Sequence, residues 1–158
     1  MTHDPDNVAI RRAGAGDAEA AARLLHDFNV EYDEPAPEVP VLAERLRDLI
    51  EAGDVTILLG GDGPDGIAVV RLRPSFWSGA LDAYLEELYV VPDRRGEGIG
   101  RALLEATMDA AREGGATRID LGTSVDDKAA IALYESAGFT NRERLPDGPM
   151  MLFYERDL

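Results

Sequence analysis

The chain has 158 residues, with 16 Lys plus Arg against 31 Asp plus Glu and a formal net charge of -15. That length fits one domain with a real core, and the charge argues against a generalist nucleic-acid binder, which needs a broad basic face for phosphates. Cysteine is absent, which excludes disulfides, thiolate zinc sites, iron–sulfur clusters and a cysteine nucleophile, and two histidines, His3 and His26, argue against a histidine-based metal site.

The start, Met1 to Asn7, is polar and lacks the apolar stretch of a secretory signal. It reads as a flexible tail ahead of a single domain over 8–158. Apolar runs such as Val55-Thr-Ile-Leu-Leu59 are too short to span a bilayer, so a soluble cytoplasmic protein is the expectation. Val8-Ala-Ile-Arg11 reads as a short strand. Asp17 is a good N-cap for a helix to about Asn29, with Leu24, Leu25 and Phe28 as its apolar stripe. Tyr32 to Pro40 holds three prolines and three carboxylates and reads as a mobile loop. Leu42, Leu46, Leu49 and Ile50 mark a second helix, ended by Gly53.

Val55–Leu59 and Ile67–Leu72 read as strands joined hairpin-fashion through Gly60 to Gly66. Pro74 to Gly79 turns the chain into a strand from about Leu81 to Val91. A long helix follows from about Gly98 to Glu113, with Ile99, Leu103, Ala106 and Ala110 as its apolar face and Gly114-Gly115 as its stop. Arg118 to Gly122 reads as a strand and Asp127 to Ser136 as a helix. Phe139–Arg144 and Met150–Glu155 read as two closing strands around Pro146-Asp-Gly148. The order β-α-α-β-β-β-α-β-α-β-β predicts one mixed α/β domain.

The informative stretch runs from Leu85 to Leu104. A strand ends at Pro92, and a short loop with Gly96, Gly98 and Gly100 opens a helix. Backbone N–H groups at a helix start lack internal partners, and the helix dipole favours an anion there. Glycines let a phosphate approach the backbone. Arg94, Arg95 and Arg101 place positive charge at this point, against the sign of the whole chain. A dinucleotide fingerprint would need a third glycine where Arg101 stands, and it would need more chain for its sheet. Nothing matches a P-loop. An ordinary glycine-rich turn would not ask for three alternating glycines beside three arginines.

Arg95-Gly-Glu-Gly-Ile-Gly100 resembles the R/Q-x-x-G-x-G/A acyl-CoA pyrophosphate motif of the Gcn5-related N-acetyltransferases, the GNAT superfamily. Leu88-Tyr-Val-Val-Pro92 is similar to that family's L-x-V-x-P strand end. Ala130-Ile-Ala-Leu-Tyr-Glu-Ser-Ala-Gly-Phe139 is similar to its A-x-x-L-Y-x-x-x-G-F segment. Asp127 stands where the family often has Asn. The resemblance implies a three-layer α/β (α+β) fold, with a mixed central sheet splayed between the fourth and fifth strands and about four flanking helices.

It also implies acetyl-CoA as co-substrate, no metal, and direct transfer to a primary amine in a ternary complex. The pantetheine arm would lie along backbone groups of Leu88, Val90 and Val91. The pyrophosphate would meet Arg95, Gly96, Glu97, Gly98, Ile99, Gly100 and Arg101. Tyr134 matches the family's general acid. Glu86 and Glu87 are the candidate general bases; as consecutive strand residues they should face opposite ways. Tyr84-Leu-Glu-Glu87 resembles a stretch of diamine acetyltransferases in which the first carboxylate is favoured, which points to Glu86.

Asp27, Glu31, Asp33, Glu34, Glu38 and Asp82 add to an acidic acceptor region that would attract a small cationic amine, or else form a solvated acidic surface. Phe76, Trp77 and Tyr84 are candidates for an aromatic pocket wall, with hairpin packing as the plainer reading. A protein N-terminus or lysine is the alternative acceptor, and a non-catalytic acyl-CoA-binding module the alternative class. Family members are often dimers, and Met150 to Tyr154 is a candidate homodimer segment. No nucleic-acid or membrane partner is expected.

Overall fold

Gly14 opens the first turn of helix by way of Asp17, whose carboxylate accepts the Gly14 N–H at 2.8 Å and two bonds from Arg11. Those contacts, Arg11 first, hold the Asp17 carboxyl down at about 2. Asp17 thus serves the short 3-10 turn over Ala15–Asp17, and makes no side-chain cap to the α-helix that follows.

The computed structural model describes residues 8–144 and 146–158. The tail expected over residues 1–7 lies outside the described residues. Contacts group the chain into two compact units, Met1–Leu121 and Gly122–Leu158. The first contains β1 (Ile10–Arg12), α1 (Ala18–Glu31), α2 (Val39–Ala52), β2 (Thr56–Gly60), β3 (Gly66–Pro74), β4 (Leu81–Val90), α3 (Ile99–Glu113) and β5 (Ala116–Leu121). The second contains α4 (Lys128–Ser136). None of the described helices is long and apolar enough to cross a membrane.

The sheet runs β1-β2-β3-β4-β5. All neighbours are antiparallel except β4 and β5, which are parallel. One face packs on α1 and α2: Ala21, Ala22, Leu24, Ala43 and Leu46 meet Ile57, Leu59, Ile67, Val69 and Tyr89 in one buried cluster. The other face meets α3, where Ala111 joins Val70 and Ala83. Gly53, with φ of 76°, ends α2 in the left-handed conformation that glycine adopts without strain.

Two glycines set how closely α3 approaches the sheet. Gly60 and Gly66 are register partners on β2 and β3. A Cβ at Gly66 would meet Leu103 Cδ1 at 2.9 Å, Ile99 Cγ2 at 3.0 Å and the Tyr89 carbonyl at 3.1 Å. The pair therefore forms a notch that receives the first turns of α3.

Pairing between β4 and β5 stops at Leu85 and Leu121. Glu86 to Val90 continue without a β5 partner, and the expected splay takes that form. In the second unit, the two predicted closing strands reduce to one isolated bridge between Arg142 and Met150. It is braced by Glu143 N–H on the Pro149 carbonyl at 3.0 Å and by Met151 N–H on the Asn141 carbonyl at 2.7 Å. The apolar sequence of Met150–Tyr154 suggested a strand, but these side chains are exposed and the segment gains no further ladder. Without a partner strand, β-propensity alone does not fix an extended segment.

Candidate active site

Val69 pairs with Glu87 and Val70 with Leu85, so Glu86 is an extra residue between two consecutive pairs. This is a β-bulge in β4. Regular alternation puts Glu86 and Glu87 on opposite faces, and the bulge overturns that expectation. Glu87 shares the side of Val69, and Tyr89 that of Ile67, in the face packed on α1 and α2. Glu86 reaches the same side: its carboxylate pairs at 2.5 Å with Arg71, which stands two residues from Val69 and opposite Tyr84. Tyr84, Glu86, Glu87 and Tyr89 thus share one face.

The two carboxylates differ in surroundings. Arg71 holds Glu86. Burial first, and then the neighbouring charge of Glu86, push the Glu87 carboxyl up to about 7. Burial, followed by Asp120, Glu86 and Glu87, also raises the Tyr84 hydroxyl. A carboxyl that titrates near neutrality can exchange protons with an amine at working pH.

The edge of β4 follows from its hydrogen bonds. Val91 N–H donates to the Asp65 carbonyl at 2.8 Å, and the Val91 carbonyl accepts from Arg94 N–H at 3.0 Å. Both Val91 backbone groups are therefore engaged within the chain. Antiparallel alternation then directs the N–H and C=O of Leu88 and Val90 away from β3, along the stretch that β5 leaves. Such an edge can hydrogen-bond an extended ligand as an added strand.

Beyond β4, Pro92–Arg94 forms a 3-10 turn and the chain swings through Gly96 and Gly98, with φ of 80° and 86°, into α3. A Cβ on Gly96 would meet no protein atom within 4 Å. The N–H groups of Ile99 and Gly100 open α3, where no carbonyl lies four residues back within the helix. This end suits a diphosphate.

The arginines divide the task differently from the basic spot expected. Arg94 Nε binds Glu97 at 2.6 Å and its Nη1 binds Asp65 at 3.1 Å, so its charge is already balanced by carboxylates and Glu97 is bound within the loop. Arg95 Nε donates to the Val90 carbonyl at 3.0 Å, and its Nη2 to Glu31 at 2.8 Å. Arg101 lies in the first turn of α3. Arg94 and Arg95 are thus both ion-paired with carboxylates, so part of the expected basic spot is balanced within the chain, while the helix terminus still favours an anion.

Phe76 and Trp77 do not join Tyr84 in a wall. They pair at 4.8 Å on the β3–β4 turn and are 85% and 87% exposed, whereas Tyr84 sits within β4. His26 lies 3.7 Å from Asp27 on α1. Sequence reasoning missed Arg71 as the partner of Glu86. The signal was present: Arg71 precedes the strand end by the right interval for a hairpin partner of Tyr84, but the bulge had to be known first.

In the second unit, Tyr134 lies on α4 with its ring 5.8 Å from Phe139, whose N–H bonds the Tyr134 carbonyl at 3.0 Å. Asp127 caps α4: its Oδ1 accepts the Ala130 N–H at 3.1 Å. Asn and Asp are nearly equal as N-caps, so Asp127 serves the helix as Asn would. Asp127→Asn should leave the melting temperature unchanged within error, while Asp127→Ala should cost about 1 kcal/mol by thermal denaturation.

Comparison with known proteins meets this geometry. Residues 21–139 match the Acetyltransferase (GNAT) family. The chain is 34% identical over 140 residues to the aminoglycoside N(6')-acetyltransferase type 1 of Stenotrophomonas maltophilia, covering 86% of this chain and 88% of that one. It is 29% identical over 143 residues to the thialysine N-epsilon-acetyltransferase of Bos taurus, covering 83% of each. A crystal structure from Arthrobacter sp. FB24, assigned to the acetyltransferases, superposes with a TM-score of 0.87 at 42% identity, covering 95% of this chain and 96% of that one. The strand edge, the glycine loop at a helix start and these likenesses agree: the chain belongs to the GNAT family and is an acetyl-CoA-dependent N-acetyltransferase.

Proposed function

We propose that the protein moves the acetyl group of acetyl-CoA directly to a primary amine of a small cationic acceptor, with Glu87 as general base. The observation that carries this reading is the Glu87 carboxyl, held near 7 on the bulged face of β4. Glu86, tied to Arg71, supports it by its charge. Acetyl-CoA supplies the activated acyl group. The Leu88 N–H polarises the thioester carbonyl, and the Val90 N–H holds the arm. The Gly96–Gly100 loop and the start of α3 receive the diphosphate.

The new N–C bond forms as the amine proton passes to Glu87. The C–S bond then breaks and the thiolate takes a proton from Tyr134, a role carried over from the family motif. A thiolate tolerates its charge better than an alkoxide, so loss of this acid costs little. Tyr134→Phe should lower kcat about tenfold and leave CoA affinity unchanged in a titration.

Acidic residues near the site favour a cationic acceptor. The relatives' names support an amine acceptor too: an aminoglycoside N(6')-acetyltransferase and a thialysine N-epsilon-acetyltransferase. A panel of diamines, aminoglycosides, thialysine and peptides, followed by thiol release, tests the reading. Saturable release with a small di- or polyamine is the expected result. Release with peptides alone overturns the acceptor class. Tight acetyl-CoA binding with no turnover on any member points to the non-catalytic module instead.

A further inference from the structure

We propose that Glu31, the last residue of α1, is a positioning residue for acyl-CoA binding that acts through Arg95. This rests on the reading that acyl-CoA lies along the β4 edge. Two segments distant in sequence converge here, the end of α1 and the stretch from Tyr89 to Arg95. Arg95 Nη2 donates to Glu31 Oε1 at 2.8 Å, and the Tyr89 hydroxyl donates to the same oxygen at 3.3 Å. The Arg95 guanidinium sits 5.6 Å from the centre of the Tyr89 ring. Arg95 Nε donates to the Val90 carbonyl at 3.0 Å. Phe28 of α1 stacks on the Tyr89 ring at 5.1 Å, so the ring that braces Glu31 is itself braced.

An arginine side chain carries large rotamer freedom, which must be lost before its planar fork can meet a ligand. Here Glu31 and the Tyr89 ring hold the fork before any ligand arrives. Two of its five N–H donors serve Glu31 and Val90, and the rest of the fork stays oriented beside the loop that opens α3. Arg95 is also exposed enough to meet a diphosphate from solvent. Glu31 brings an opposing cost, because its charge repels an anion. Positioning and repulsion predict opposite signs, so one experiment separates them. Glu31 also precedes the acidic loop from Tyr32 to Glu38, so its bonds to Arg95 and Tyr89 join that loop to the stretch that opens α3.

The test is calorimetric titration of the full-length protein with CoA. Glu31→Ala should weaken binding about tenfold, while Glu31→Gln, whose amide oxygen accepts the same bonds, should stay within about threefold of wild type. Arg95→Ala should weaken binding as well, and adding Glu31→Ala to it should cause no further loss, because the contact is already gone. In turnover, Glu31→Ala should raise KM for acetyl-CoA with kcat within about twofold. Unchanged or tighter binding by Glu31→Ala, or a loss that adds to that of Arg95→Ala, overturns the proposal. Should Glu31→Ala fail to fold, Tyr89→Phe removes only the bracing hydroxyl. Binding weakened about twofold then supports the role, and unchanged binding overturns it. If the wild-type protein does not bind CoA, the acyl-CoA site itself falls; if it binds and Glu31→Ala matches it, this inference alone falls.

Discussion

Glu87→Gln should lower kcat about 10²- to 10³-fold and abolish the rise in rate centred near pH 7, while acetyl-CoA affinity stays within about twofold. The wild-type carboxyl, at about 7, is the conjugate base only above that pH, so activity should climb through neutrality and level off. A variant that keeps the ascending limb removes Glu87 from the base role. Glu86→Gln gives the companion result. It deletes a negative neighbour, so Glu87 should ionise more easily and the limb should move to lower pH, with a smaller loss of rate.

The same carboxyl makes a stability prediction with a definite sign. Its folded value, about 7, lies above its ordinary value of 4.5. Between those values the native protein retains a proton that the unfolded chain has released. The Glu87 contribution to stability is therefore highest below pH 4.5, falls as pH rises toward 7, and is flat above. Glu87→Gln should remove that fall and leave the variant more stable than wild type at pH 8, by about 1–2 kcal/mol once the remaining exposure of Glu87 is allowed for. Chemical denaturation at pH 4 and pH 8 measures it. An equal wild-type stability at both, after the variant's own change is subtracted, would contradict the shift.

Gly66→Ala should destabilise the protein by about 1–3 kcal/mol and weaken CoA binding with it. The added methyl would meet Leu103 and Ile99, both buried on α3, and the backbone carbonyl of Tyr89 on β4. Neither packed side chain has room to withdraw, and a carbonyl in a sheet cannot swing aside. The cheapest relief is a shift of α3 away from the sheet. Its first turn carries the N–H groups proposed to receive the diphosphate, so packing loss and binding loss should appear together. Gly16→Ala is the control: its Cβ would meet nothing within 4 Å, and its melting temperature should match wild type within error. A Gly66→Ala protein as stable as the control would show that the notch is not closed.

Most of the fold was legible because its signals are local. The stripe of Leu24, Leu25 and Phe28 and the stop at Gly53 specify helices within one or two turns. The glycine loop before α3 was legible for the same reason. What escaped reading depends on pairing between strands. Glu86 and Glu87 are adjacent letters, and only the register with Val69 and Val70 puts them on one face. A clue existed: the apolar positions run Ala83, Leu85, then Leu88, a step of three where a regular strand steps by two. Likewise one of the two carboxylates on Arg94, Glu97, is three residues away and within reach of the sequence, but the other, Asp65, is 29 residues away and is not. The closing segment shows the converse error: Met150 to Tyr154 has the composition of a strand, yet composition supplies no partner.

The extra residue in β4 also accounts for where β5 lets go. A bulge bends its strand and tightens the local twist, and β5, which follows β4 residue for residue from Asp82 to Leu85, loses it at the next position, Glu86. Removing Glu86 would restore an unbroken ladder with β3 and straighten the path that β5 could then follow. The spare carboxylate and the vacated edge are thus products of one insertion. A descendant of this sequence could not discard either alone: losing the residue would seal the edge, and keeping the edge retains the residue.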